Sequence, residues 1–213
     1  MYPLVTKCIV FIAGFAILSL EILGFRILVP FTGATTPVWA SVISVTLLGS
    51  VLGYYIGGAF ADRAQNKNIL ASLVFGAGLL FLAILPARAV VRVIVSFVGS
   101  YSASALLASL ALFLFPILGL SSMITYAIRC SLFNIETVAR VHGDLYTIAT
   151  IGSIAGVFVT SYVLIPNFTI SSIIMGQGAI LISIAVIIKT KNSKTMQIGK
   201  FVGEVVGRGK VVG

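Results

Sequence analysis

Six stretches of this chain stay apolar for about 20 residues, the length an α-helix needs to cross the hydrocarbon core of a bilayer. They lie at about 8–29, 38–61, 69–87, 102–128, 144–165 and 170–188. That repetition leaves few folds open. In a core without water each segment must satisfy its own backbone hydrogen bonds, which only helices and closed barrels do. The short alternating segments of a barrel are missing. The chain is therefore predicted to be all-α, a polytopic membrane helical bundle of about six transmembrane helices. Composition agrees, because 59% hydrophobic and 9% charged residues in a chain of 213 give too little charge to cover a water-facing surface.

The connection between the third and fourth runs is the least regular. Arg88 to Tyr101 is expected to be an interfacial helix or a short re-entrant piece, with Arg88 and Arg92 at headgroup level. Six crossings put both chain ends on one side. That side carries Lys7, Arg63, Lys67, Arg129, Arg140, Lys189, Lys191, Lys194, Lys200, Arg208 and Lys210; the other carries only Arg88 and Arg92, with Arg26 left inside the membrane. The excess marks a cytoplasmic face, so a multi-pass protein of the cell membrane with cytoplasmic N- and C-termini is expected. The formal charge of +9 then reflects a basic face against the anionic lipid bilayer, with no nucleic acid as partner. Residues 1–188 are expected to form the six-span membrane domain and 189–213, rich in Lys, Gly and Val, a basic cytoplasmic tail. Glu21 and the missing small-residue cleavage site argue that the first run is kept as a span. Cys8 and Cys130, at cytoplasmic span ends, are expected to be reduced packing residues without metal-site spacing.

Charge inside the spans is the best pointer to function. Glu21 and Arg26 lie in the first run, where an ionisable group costs about 2.5–3.5 kcal/mol unless it is paired, hydrated or used. They stand about 7.5 Å apart along a helix and about 140° around it, so each is expected to seek a partner on another helix. Glu21 is then a proton or cation site and Arg26 an anchor for an anionic group, or the two belong to a polar clasp between helices. Ser44, Thr46, Tyr54, Ser122, Thr125, Tyr126, Tyr146, Thr147, Thr150 and Ser153 either line a cavity or serve as packing groups. Gly49, Gly53 and Gly57, followed by Ala61, recur every four residues, as do Gly152, Gly156 and Thr160. Such rows let a neighbouring helix approach the bare backbone. Both fall on the middle members of span triplets, which hints at a duplicated three-helix unit. Pro30, Pro37 and Pro116 are candidate bends, His142 reads as a solvated residue, and Asp144 as a cap in the first turn of the fifth span.

The second run ends Gly57-Gly58-Ala59-Phe60-Ala61-Asp62-Arg63-Ala64-Gln65-Asn66-Lys67. An aspartate at a helix C-terminus opposes the macrodipole, so Asp62 is expected to be held from outside its own helix, with Arg63, Arg129 and Arg140 on the right side. Gly58, Asp62, Arg63 and Lys67 resemble the Gly-x-x-x-Asp-Arg-x-Gly-Arg-Lys loop of major facilitator transporters, from which Gln65 and Asn66 depart. With Arg129 they form a candidate cytoplasmic gate loop. A wider resemblance covers about residues 10–188. It is carried by Leu20-Glu21-Ile22-Leu23-Gly24-Phe25-Arg26-Ile27-Leu28, by the glycine-rich second span ending Ala61-Asp62-Arg63, and by Phe115-Pro116 to Arg129. Gly143-Asp144-Leu145-Tyr146 through Gly152-Ser153-Ile154-Ala155-Gly156 to Leu164-Ile165-Pro166 completes it. Together these look like the membrane domain fused to spermidine-synthase-like proteins, which implies half of a major-facilitator-like architecture. Where that family often has Trp between the acid and the arginine of its first span, this chain has Gly24-Phe25. Nothing in it resembles the transferase half: no glycine-rich nucleotide loop follows a strand, and no acidic pair could hold a polyamine.

Two functions remain open. One is a transporter-like protein that moves a small zwitterionic, anionic or polyamine-type solute by alternating access, with a homodimer or a partner membrane protein supplying the other half. With Arg26 and Arg129 set against Glu21, its cavity is expected to be neutral or positive, which suits a zwitterion or anion better than a cation. The other is a non-transporting membrane subunit or anchor for a separately encoded partner, such as an aminopropyltransferase-like enzyme. The spans hold no Ser with His, no paired Asp and no His-Glu zinc spacing, so no catalysis, cofactor or metal is expected.

Overall fold

Apolar runs in lipid become helices because no other open structure meets their backbone demands; glycine ends two of them. The computed structural model describes the backbone of residues 3–63, 67–131 and 138–209, and side chains at 4–63, 68–131 and 138–191. Its helices are α1 (Pro3–Thr32), α2 (Thr36–Arg63), α3 (Lys67–Val98), α4 (Tyr101–Arg129) and α5 (Val138–Val159). A π-helical segment, Thr160–Leu164, carries α5 into the single turn α6 (Ile165–Asn167), and α7 (Ile170–Gly209) follows. Six of the helical stretches are long and apolar enough to span a membrane, and no strand occurs among the described residues. The expected polytopic helical bundle is what forms.

Gly33, at φ +81, turns the chain out of α1 while its N–H still reaches Val29 O at 2.9 Å, and Gly99 at φ +65 ends α3. Both positions need the left-handed region that glycine enters without strain. Pro30 lies within α1, and Pro37 falls in the first turn of α2, where its missing N–H is no loss.

Two expectations need correction, and one segment is longer in helix than its composition suggested. Arg88 to Val98 is no separate interfacial or re-entrant piece, because α3 continues through Pro86 for 32 residues and only Gly99 and Ser100 separate it from α4. Arg88 Nη1 donates to Ser171 Oγ at 3.0 Å, so its charge has a protein partner at the start of α7. The Lys-rich stretch from 189, read as a basic tail, has a helical backbone: α7 runs on to Gly209, 40 residues in all, about 60 Å and twice the hydrocarbon thickness. The side chains from 192 onward and all of 210–213 lie outside the described residues. Finally, α5 is already helical at Val138, so Asp144 lies beyond the first turn and is not a cap.

The helices pair in a pattern set by the glycine rows. α2 lies along α4: a Cβ at Gly53 would come within 2.5 Å of Leu118 O, and one at Gly57 within 2.6 Å of Ser122 Cα. Ser122 Oγ donates to Gly53 O at 2.9 Å, a contact that only such close backbones allow. α5 lies along α1 in the same way, Gly152 against the Phe11 carbonyl, Gly156 against that of Phe15, and Gly14 answering against the Ala149 carbonyl. In each pair residue numbers rise together, so both pairs are parallel. Exchanging α1, α2 and α3 for α4, α5 and α7 turns the first pairing into the second. The third members, α3 and α7, pack on each other antiparallel, with Gly78 against Leu181 and Ile182 and Gly178 against Leu82. The exchange is not complete, since α3 packs on α4 far more extensively than α7 does on α1. α1 and α4 are the most buried spans and form the centre; α5 is the least.

Candidate functional site

α2 and α5 have at most marginal contact with each other, and the space they leave, floored by α1 and α4, is a cavity of about 790 Å³. That lies within the range of roughly 300–1,000 Å³ typical of small-molecule sites. α1 contributes Gly14, Ile17, Leu18 and Glu21; α2 contributes Thr46, Ser50, Tyr54, Gly58 and Asp62; α4 contributes Thr125, Ile128 and Arg129. His142, Tyr146, Thr150 and Ser153 line it from α5.

Asp62, Arg129 and His142 stand at the mouth, on the side of the bundle where α1 begins and α7 ends. Glu21 stands at the far end, about 10 Å beyond Gly14 along α1. Just past it α1 packs on α2 and α4. A Cβ at Gly24 would meet the Phe113 ring at 3.1 Å and Val42 at 3.3 Å, and Phe25 stacks on Trp39 with centroids 3.8 Å apart. Glu21 is half-buried and lines the cavity, and no hydrogen bond or ion pair joins it to another described residue.

At the mouth Arg129 Nε donates to Asp62 Oδ1 at 2.9 Å, tying the ends of α2 and α4 and answering the demand of Asp62 for support from another helix. The carboxylate side chain is 71% exposed and the guanidinium 39%, so water screens the pair, and pairs of this kind contribute about 0–1 kcal/mol. Asp62→Asn is accordingly expected to lower the thermal midpoint in detergent by less than about 3 °C; a fall beyond about 6 °C would make the pair a main support of the bundle. His142 stacks on Tyr146, centroids 6.3 Å apart and planes 9° from parallel, and belongs to the cavity rather than to bulk solvent alone.

Most of the hydroxyls in the lining are already donating. Thr46 Oγ1 donates to Val42 O at 2.9 Å, Thr125 Oγ1 to Ser121 O at 3.3 Å, Thr150 Oγ1 to Tyr146 O at 2.9 Å and Ser153 Oγ to Ala149 O at 3.1 Å. Each has one proton to give, so toward the cavity these four present lone pairs.

Of the residues singled out in the sequence, the structure brings Glu21, Tyr54, Thr125, Tyr146, Thr150, Gly58, Asp62 and Arg129 into this one lining. It leaves others out. Arg26 is exposed on the outside of α1, away from the cavity, and makes no ion pair among the described residues. Tyr126 is fully buried in α4, off the lining. Arg63 is exposed beside the mouth, and the side chain of Lys67 lies outside the described residues. Gly49, Gly53, Gly57, Gly152 and Gly156 all serve packing.

One polar cluster was not anticipated. Thr160 Oγ1 donates to Ser19 Oγ at 2.7 Å and Gln177 Nε2 donates to the same oxygen at 2.6 Å, joining α1, the π-helical segment and α7. All three residues are buried, and Gln177 Oε1 has no partner. A lone amide within an otherwise apolar span was the available signal. Comparison of the chain with protein-family models, curated proteins and solved structures gives no match in any of the three.

Proposed function

We propose that this chain is a transporter-like protein of the cell membrane, with cytoplasmic termini, that carries a small solute by alternating access through the cavity between α2 and α5. The observation that carries this reading is the 790 Å³ cavity ending at an unpartnered Glu21. A carboxylate at that depth is costly unless water, a proton or a cation answers it. A groove between two helices that barely touch, with Glu21 among its lining residues, gives a solute a place to enter and a charge to meet. The paired glycine contacts supply rigid units, α2 with α4 and α5 with α1, that can rock against each other.

The lysine and arginine distribution supports the orientation, with the mouth facing the cytoplasm. The exchange of contacts between the two triplets fits half of a facilitator-like architecture, as the resemblance to the spermidine-synthase-like membrane domain implies, with a second copy or a partner membrane protein as the other half. The alternative, a non-transporting anchor for a separate enzyme, draws on the continuation of α7 past the bilayer, which offers a docking rod.

Proteoliposomes enclosing a pH-sensitive dye, challenged with separate pools of amines, amino acids and carboxylates, test the proposal. One pool is expected to drive proton movement absent from protein-free vesicles, and Glu21→Gln, eluting as the native protein does, is expected to reduce it at least about tenfold. Flux unchanged by Glu21→Gln, or no flux from any pool, overturns transport in favour of the anchor.

A further inference from the structure

Resting on the transport reading, we propose that the solute is an organic monocation, a single ammonium group on an apolar body. Four features of the cavity converge on this class. First, the charge balance differs from what the sequence suggested. Arg26 is outside the lining, and Arg129 is held by Asp62 at the mouth, so the cavity keeps one unanswered charge, the carboxylate of Glu21. Besides the Asp62-held Arg129 and the imidazole of His142, the described lining offers an anion or the carboxylate of a zwitterion no cationic side chain.

Second, the hydroxyls are oriented for a donor. Thr46, Thr125, Thr150 and Ser153 donate to carbonyls of their own helices and in this arrangement accept from the cavity, which suits an ammonium group that only donates; Ser50, Tyr54 and Tyr146 can act either way. Third, Tyr54 and Tyr146 place aromatic rings in the lining, surfaces that attract an organic cation and cover its apolar body. Fourth, this chain offers the solute a single unpaired acid among the described lining residues. The second carboxylate, Asp62, is already paired, so a polyamine would carry ammonium groups that nothing meets.

The experiment uses the purified full-length protein in detergent and 2-(1-naphthyl)ethylamine as probe, with its neutral alcohol, 1-naphthylacetate and 1,4-diaminobutane as comparators, by calorimetry. The amine is expected to bind and the other three to compete at least about tenfold more weakly. Glu21→Gln is expected to weaken amine binding about tenfold or more, Glu21→Asp to keep it within about threefold, and Arg26→Gln to leave it unchanged. Preferential binding of the alcohol, the acid or the diamine overturns the monocation class while leaving a solute cavity. So does amine binding that ignores Glu21→Gln or tightens on Arg26→Gln. If nothing binds but the Glu21-dependent proton flux of the vesicle assay persists, the solute class fails and transport stands; if neither is seen, both fail.

Discussion

Gly152→Ala is expected to lower the thermal midpoint of the purified protein by about 6–12 °C. The added methyl would lie against the backbone of Phe11, within 2.9 Å of its carbonyl carbon and 3.0 Å of its Cα, and closer still to its oxygen. Backbone atoms cannot swing aside as a side-chain tip can, so α5 must lift off α1. Overpacking costs about 1–3 kcal/mol, and a backbone clash belongs at the upper end; for a chain of this size each kcal/mol moves the midpoint by about 2–4 °C. Gly143→Ala in the same helix has nothing within 4 Å of the new atom. It should be neutral, or stabilising through the better helix propensity of alanine. Thermal unfolding of both variants in one detergent checks the contrast, and equal midpoints would mean that the glycine row is not a packing surface.

Removing one hydroxyl from the buried cluster should cost more than removing the whole cluster. Ser19→Ala leaves the Thr160 hydroxyl and the Gln177 amide without their shared acceptor, both out of reach of water. An orphaned buried group costs about 1–3 kcal/mol in water-soluble proteins. Hydrogen bonds between membrane helices average about 0.6 kcal/mol, so a loss of about 1–2 kcal/mol is expected. Gln177→Leu also deletes the unpartnered Oε1 and should cost less than Ser19→Ala. The triple variant Ser19→Ala, Thr160→Val, Gln177→Leu leaves nothing unmet and should return to within about 0.5 kcal/mol of the parent. Unfolding titrations in mixed micelles measure all three, and a triple variant as weak as the sum of its parts would show that the cluster stabilises through its bonds and not by avoiding orphans.

What the sequence made legible was local. Span number follows from run length, and the packing faces of α2 and α5 from a four-residue period, neither of which depends on distant residues. The direction of Arg26 was not legible. Five-residue spacing separates it from Glu21 around the helix, but which face looks inward is decided by α4 and α5, more than seventy residues further on. The charge balance inferred for the cavity counted Arg26 for that reason, whereas the lining leaves it out. Residues 88–98 were misjudged because weak polarity was taken as the end of a helix, and the helical backbone of 189–209 was not foreseen. Extending an existing helix needs only one more hydrogen bond per residue, far less than nucleating a new one, and both segments grow from strongly anchored spans. His142 looked ordinary because nothing nearby in sequence reveals that α5 stands across a gap from α2.

The pairing of α5 with α1 also governs the order in which the chain can be assembled. Phe11 and Phe15 receive their glycine partners, Gly152 and Gly156, only after 141 further residues have been made in each case. During synthesis the first helix therefore waits in the bilayer with a groove that lipid tails alone must fill, and α2 waits likewise for α4. A ribosome that stalls before the fifth helix emerges would leave three or four inserted helices with half their seams open, a ready substrate for membrane quality-control proteases.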